Sequence, residues 1–328
     1  MKYSTCGLLV LVTMYCTIAI STEREKLSKD ALDAFVHGAK IKETIRVGDS
    51  TGRPVAEAVV KVGYEQGSTG KVKVYTGVTD LNGSWTVEGY CSRFANYRIT
   101  REGYYETYVE RSMFSSDYAE VNRRISDGSW QPWNAMVKVV LKEKRKPIPM
   151  VSHAYIASMP VTGVPLGYDF EKGDWIPPHG AGMMADAEIE YSRVVSTNAI
   201  RRYTSTLSIR FPNQSDGCYI VRKDLFSKFD KPYEAETPKE RCVVFILDGT
   251  DEKILTDDRL GADEVLVFRI RTEVDDKGEI VRCYHGYIDG ALKFAQGPKK
   301  ELWLKSVLNT NNLDRNLEWD GKDTVIKR

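Results

Sequence analysis

The chain has 328 residues, with 47 Lys and Arg against 46 Asp and Glu, a net charge of +1. That balance gives no ground for a nucleic-acid partner, and the length suits two domains better than one. Aromatic residues make up 10%, including 18 tyrosines, enough to fill β cores and too many for a disordered chain.

Residues 1–21 read as a signal peptide. Lys2 gives a short positive start, the stretch from Cys6 to Ile20 carries no charge, and Ala19-Ile20-Ser21 places small residues where a signal peptidase cuts, so cleavage is expected before Thr22. The apolar run is short for a membrane helix and Glu23-Arg24-Glu25-Lys26 follows it, so no membrane span is expected after cleavage; an uncleaved anchor is the alternative. Tyr15 stands where lipid attachment at Cys16 would need a small residue. The expected destination is therefore the medium, the periplasm or the cell envelope. In the lead-in at 22–40, Leu27, Ala31, Leu32, Phe35 and Val36 make one apolar stripe at helical spacing, and Ser28 is placed to cap it.

From Ile41 the apolar period changes to two. Strands are predicted over 44–47, 58–64, 71–79, 84–88, 97–101, 104–109 and 136–142, with Asp49-Ser50-Thr51-Gly52 as a turn and Asp80-Leu81-Asn82-Gly83 as a hairpin-type turn. The polar stretch 111–133 reads as a long excursion with one helical turn. Four phrases run in order through this region: Gly52-Arg53-Pro54-Val55, Ala58-Val59-Val60-Lys61-Val62, Thr79-Asp80-Leu81-Asn82-Gly83-Ser84-Trp85 and Glu102-Gly103-Tyr104. In that order they resemble the carboxypeptidase regulatory-like, or transthyretin-like, β-sandwich family over residues 41–142. The resemblance implies scaffold roles for Gly52, Pro54, Asp80, Gly83, Trp85 and Tyr104, with Trp85 in the inter-sheet core. It brings none of a peptidase's zinc ligands. The excursion at 111–133 departs from a minimal member of that family and leaves the place of the last strand open.

Lys142-Glu143-Lys144-Arg145-Lys146-Pro147-Ile148-Pro149 is a charge run ending in two prolines, so 143–149 reads as a linker. Residues 150–328 are again rich in strand signals, at 187–195, 205–211, 217–221, 242–247, 265–273, 279–286 and 302–308, with Asp275-Asp276-Lys277-Gly278 as a hairpin turn and a short turn in 223–229. The expected fold class is all-β: a transthyretin-like sandwich followed by a second antiparallel β-sandwich or jelly-roll-like domain. Three phrases of this second half, Gly167-Tyr168-Asp169-Phe170-Glu171-Lys172-Gly173-Asp174-Trp175, Gly180-Ala181-Gly182 and Asp314-Arg315-Asn316-Leu317-Glu318, resemble uncharacterised secreted bacterial proteins. That resemblance implies an envelope setting and no activity.

No dinucleotide, Walker, Gly-x-Ser-x-Gly or His-Glu-x-x-His motif is present, and neither a metal site nor a cofactor is expected. Cys91, Cys218, Cys242 and Cys283 permit disulfides in an oxidising compartment, most readily within the second domain, while the alternative is that they are small buried apolar residues. Cys283 and His285 share one face of a strand, which could make a thiol–imidazole couple, although core packing accounts for that spacing as well. The acidic run Asp248, Asp251, Glu252, Asp257, Asp258, Asp263 and Glu264 lacks the alternating spacing of a calcium loop and reads as solvated. Asp169, Glu171 and Asp174 beside Trp175 form the most pointed pattern, since carboxylates next to an exposed ring can bind sugar hydroxyls while the sugar stacks. The reading is of a secreted or envelope-exposed, non-catalytic binding or structural protein that recognises carbohydrate or another envelope protein. The second domain is expected to supply the specific surface, with Trp175, Asp169 and Asp174, and the loop tryptophans Trp130 and Trp133, as ligand-binding residues. The alternative is a glycan-active hydrolase using the Asp169 and Asp174 carboxylates, or a thiol hydrolase using Cys283.

Overall fold

The computed structural model describes residues 26–196, 202–250, 252–294 and 301–323, so the expected signal peptide lies outside the described residues. The chain divides into two compact units between Glu143 and Lys144.

The first unit runs α1 (Lys29–His37), β1 (Ala39–Asp49), β2 (Val59–Gln66), β3 (Lys71–Val78), β4 (Ser84–Cys91), β5 (Phe94–Thr100), β6 (Thr107–Ser112), α2 (Tyr118–Arg123), β7 (Ile125–Ser126), β8 (Ser129–Trp130) and β9 (Ala135–Leu141). One sheet holds β4-β1-β8-β7, with β9 also parallel to β1; the other holds β3-β2-β5-β6. The strand period of two sends Ile41, Ile45 and Val47 of β1, Val60, Val62 and Tyr64 of β2, and Tyr97 and Ile99 of β5 into one shared core. The result is a β-sandwich.

Four local expectations change. Ser28 caps α1 through a bond from the Ala31 N–H (3.1 Å), but Ala31 and Ala34 are its buried residues, while Leu32 and Val36 face solvent. With Phe35 edge-on to Phe114 (5.2 Å), small alanines let this short helix lie close to the sheet. The Asp80–Gly83 turn is not a hairpin. It joins β3 to β4, which pair with β2 and β1 in opposite sheets. The Gly83 carbonyl accepts the Val47 N–H (2.8 Å), and a Cβ at Gly83 would lie 2.3 Å from the Val47 oxygen, so the turn is seated on β1 and carries the chain across the sandwich. The excursion between β6 and β9 is partly core: Met113, Val121, Ile125 and Trp130 are buried within it. Trp85 is only half-buried, its ring covering Gly77, where a Cβ would come within 2.0 Å of it.

The second unit runs β10 (Ile148–Ser158), β11 (Leu166–Asp169), β12 (Asp174–Trp175), β13 (Ala187–Val195), β14 (Arg202–Arg210), β15 (Gly217–Arg222), β16 (Cys242–Thr250), β17 (Ile254–Asp257), β18 (Glu264–Val274), β19 (Ile280–Phe294), β20 (Glu301–Asn309) and β21 (Trp319–Asp323). Two six-stranded sheets, β15-β18-β19-β20-β10-β21 and β12-β11-β13-β14-β16-β17, enclose a core that includes Ile189, Leu207 and Phe245 from one and Phe268, Ile288 and Leu304 from the other. The two sheets and their shared core make it a β-sandwich. Pro149 sits at the start of β10 where the register with β21 shifts between Ile148 and Met150, a place where a missing N–H breaks no regular ladder. Glu318 accepts the Arg145 and Lys146 N–H groups (3.0 and 2.6 Å), and the Asn316 side chain donates to the Lys146 carbonyl (2.7 Å). The Asp314–Glu318 phrase thus holds the start of this unit's own chain.

Candidate functional site

Of the Asp169–Trp175 phrase, Asp169, Phe170 and Trp175 fold into the interior of the second unit. Asp169 is 1% exposed; its carboxylate accepts the N–H groups of Glu171, Lys172, Met183 and Met184 at 2.9 to 3.2 Å, and a bond from Arg271 Nη2 (2.9 Å). Arg271 also donates from Nε to Asp186 (2.7 Å) and pairs with Glu171. Asp186 in turn takes the Phe170 N–H (2.9 Å), and Asp216 takes the Arg271 and Thr272 N–H groups (3.0 and 2.9 Å). Burial pushes the Asp186 and Asp216 carboxyls up. Burial alone would lower the Arg271 pKa, but its bond to Asp186 and the charges of Asp186, Asp169 and Glu171 hold it above the usual arginine range. Arg271 therefore occupies the centre of these carboxylates, in the place a cation ligand would need.

Asp174 is spent on its own loop, accepting the Trp175 and Ala181 N–H groups, both at 2.8 Å. Trp175 is 1% exposed, edge-on to Tyr155 (5.5 Å) and Tyr168 (5.1 Å). No ring face is left for a sugar, because β12 pairs Trp175 with Tyr168 of β11 on the core side of the sheet. This corrects the stacking role expected of Trp175 and the ligand roles expected of Asp169 and Asp174. The thiol–imidazole pair is packed in the same way. Cys283 and His285 are buried, burial pushes the thiol up and lowers the imidazole to about 4, and His285 Nδ1 bonds the Asp314 carbonyl (3.1 Å). A thiol shifted in that direction is a poor nucleophile. All four cysteines are free. In the acidic run, Asp248 is bound by Arg202 and Thr204, and Asp257 by Arg259. Among the described residues no group of three His, Cys, Asp or Glu is placed to hold a metal ion.

The first unit separates its two loop tryptophans. Trp130 is buried, donating from Nε1 to the Cys91 carbonyl (2.8 Å), with Phe114 edge-on at 5.4 Å, so it is core rather than ligand surface. Trp133, three residues on, is 42% exposed. It lies at the outer face of the sheet containing β4, β1 and β9. The odd positions of β1 point inward, so Lys40, Lys42, Thr44 and Arg46 point out, flanked by Thr86, Glu88 and Tyr90 of β4 and by Met136 and Lys138 of β9. Lys42 Nζ lies 6.0 Å from the Trp133 ring centroid. The Thr44 hydroxyl donates to Asn134 Oδ1 (2.8 Å) and shares a hydrogen bond with the Thr86 hydroxyl (2.9 Å). Asn134, at φ +61°, turns the chain so that Trp133 precedes β9 on its open side.

Sequence reasoning passed over this face, although the polar residues at every second position of β1 signalled it. It also passed over Glu43, fully buried between Ile41 and Ile45, whose carboxylate accepts Tyr64 and Tyr97 hydroxyls (3.0 and 2.6 Å) and Arg111 Nη1 (2.7 Å). A carboxylate at an inward position of an apolar strand was its sign.

No protein-family model and no curated protein matches the chain. Among solved structures, it is similar to 3-chlorocatechol 1,2-dioxygenase from Rhodococcus opacus 1CP at 12% identity, over 36% of this chain and 63% of that one, with a TM-score of 0.27. It thus spans under two thirds of that enzyme's length. It is similar to a streptococcal ancillary pilin at 14% identity, over 65% and 60%, with a TM-score of 0.19. A shaft pilin of Lactobacillus rhamnosus GG aligns at 9% identity, over 81% and 93%, with a TM-score of 0.21. At these scores the likenesses extend to neither activity nor partner.

Proposed function

We propose that this is a secreted, non-catalytic β-sandwich protein that recognises carbohydrate, with Trp133 as the stacking platform. The supporting observation is an exposed indole on an outer sheet face beside the Thr44, Thr86 and Asn134 side chains and Lys42. Sugars offer an apolar ring face to an aromatic and hydroxyls to polar groups, and such sites carry both. The phrases at Gly52, Pro54, Asp80, Gly83 and Tyr104 support a carboxypeptidase regulatory-like reading of the first unit as the scaffold that presents this face. Asp49, one residue past β1's last outward position, illustrates the scaffold role: it accepts the Thr51 and Arg53 N–H groups, both at 2.9 Å, and bonds to the Thr51 hydroxyl and the Arg53 side chain hold its carboxyl well below the usual range. Export rests on the sequence of residues 1–21; among the described residues no helix is long and apolar enough to cross a membrane.

The test is a glycan array followed by calorimetric titration of wild type and Trp133→Ala. Binding that weakens at least about tenfold in the variant, a loss of about 1.4 kcal/mol, is the expected result. An array without a hit, together with capture of a defined envelope protein that Trp133→Ala releases, would replace carbohydrate by a protein partner at the same face. The hydrolase alternative draws no support from Asp169 and Cys283, which are buried, or from Asp174, whose carboxylate is bonded to its own loop.

A further inference from the structure

We infer that the Trp133 face takes an extended acidic polysaccharide, one bearing carboxylates, in preference to a neutral sugar; this rests on the carbohydrate reading above. Its outward positions carry four cations, Lys40, Lys42 and Arg46 on β1 and Lys138 on β9, against one carboxylate, Glu88. Lys42 lies 3.6 Å from Glu88. Among the described residues no carboxylate comes within 4.0 Å of Lys40, Arg46 or Lys138. Elsewhere in the same unit Arg53, Arg93, Arg98, Arg101, Arg111 and Arg124 each pair with a carboxylate. Lys61, Lys71 and Lys73 of the other sheet also have no carboxylate within 4.0 Å among the described residues, so what sets this face apart is that its cations share it with the exposed indole.

Spacing sets the shape of the ligand. Along β1, Lys40 and Arg46 are six residues apart, roughly 20 Å at the rise of a strand, with Thr44 and the Asn134 amide between them. Tyr90, 49% exposed and paired across the ladder with Lys40, adds a second ring at one end. Regular charges along a line, two rings and a central hydroxyl–amide group fit a polymer of repeating acidic sugars lying along β1. Nucleic acid is the other polyanion, but successive bases ask for a groove with several stacked aromatics, and this face offers the two exposed rings of Trp133 and Tyr90 with the Thr44 and Thr86 hydroxyls.

The experiment measures binding of polygalacturonate, of the same polymer with its carboxyls reduced to alcohols, of a neutral glucan and of a short DNA duplex. The proteins are wild type, the triple variant Lys40→Gln/Arg46→Gln/Lys138→Gln, and a control triple Lys61→Gln/Lys71→Gln/Lys73→Gln on the other sheet. Polygalacturonate is expected to bind wild type about tenfold or more tighter than the reduced polymer, the first triple to abolish that preference, and the control to keep it. Raising salt, which shortens the screening length from about 10 Å at 0.1 M to about 3 Å at 1 M, is expected to erase it as well. Equal affinity for the reduced polymer overturns the acidic preference while leaving the carbohydrate reading standing, whereas binding of no polysaccharide overturns both. DNA binding as tight as polygalacturonate, or equal losses in the two triples, overturns the inference in favour of unspecific attraction.

Discussion

Trp133 and Trp175 look alike in the sequence: each stands in a short polar loop next to prolines, with carboxylates or amides beside it. In the folded protein they have opposite fates. Trp175 is enclosed by Tyr155 and Tyr168, with its neighbouring Asp169 locked to Arg271 from β18, 102 residues further along the chain. Trp133 keeps an open face beside side chains that are bonded only to one another and to the sheet they stand on. The difference lies in the partners rather than in the local phrase. A loop whose carboxylates meet a buried arginine becomes a knot, and one laid along the outward face of a strand becomes a surface.

That contrast can be broken by experiment. Arg271→Ala strands Asp169, Asp186 and Glu171 without their cation, and is expected to destabilise the second unit by about 3–5 kcal/mol in urea denaturation. A loss below about 1 kcal/mol would mean that the knot is ornamental. Trp175→Ala should cost a similar about 3–5 kcal/mol, the range for emptying a buried aromatic site. Acid probes the same unit differently. His285 is buried neutral, its pKa lowered from 6.5 to about 4, so unfolded chains bind a proton that folded ones refuse. Stability is therefore full above pH 6.5 and falls as the pH drops toward 4, by up to about 3 kcal/mol from this group. The raised Asp186 and Asp216 carboxyls act oppositely, adding stability at low pH that is lost as the pH rises through their raised values. Comparing wild type with His285→Gln isolates the first slope, and a slope unchanged in the variant would refute it. The smallest effect is expected at Trp133→Ala, under about 0.5 kcal/mol in thermal or urea unfolding, because an exposed ring supports no core. A larger loss there would remove the distinction between the two tryptophans.

Most of the strands were legible because their period and turns are local. Predicted 187–195 coincides with β13, and Asp275-Asp276-Lys277-Gly278 closes the β18–β19 hairpin with Asp275 accepting the Lys277 and Glu279 N–H groups, both at 2.9 Å. The same kind of phrase at Asp80–Gly83 misled. Turn chemistry sets the local reversal, but the Val47–Gly83 bond decides which sheet the next strand joins. β10 was missed because its first residues follow a charge run and flank prolines, and its strand character comes from pairing with β20 and β21.

By itself the sequence determined an all-β chain, the two stretches that build separate cores, the Ser28 cap and the turn residues, since each depends on periodicity or on bonds within a few residues. Only the tertiary structure decided that Asp169 and Trp175 are interior, that Trp130 and Trp133 part company, and that Lys40, Arg46 and Lys138 share a face. Those outcomes depend on strand order and on partners such as Arg271 and β1, which lie far away in the chain. Burial of Asp169, Trp175 and Trp130 is decided by what the rest of the chain brings to them, and the phrases around them do not carry that information.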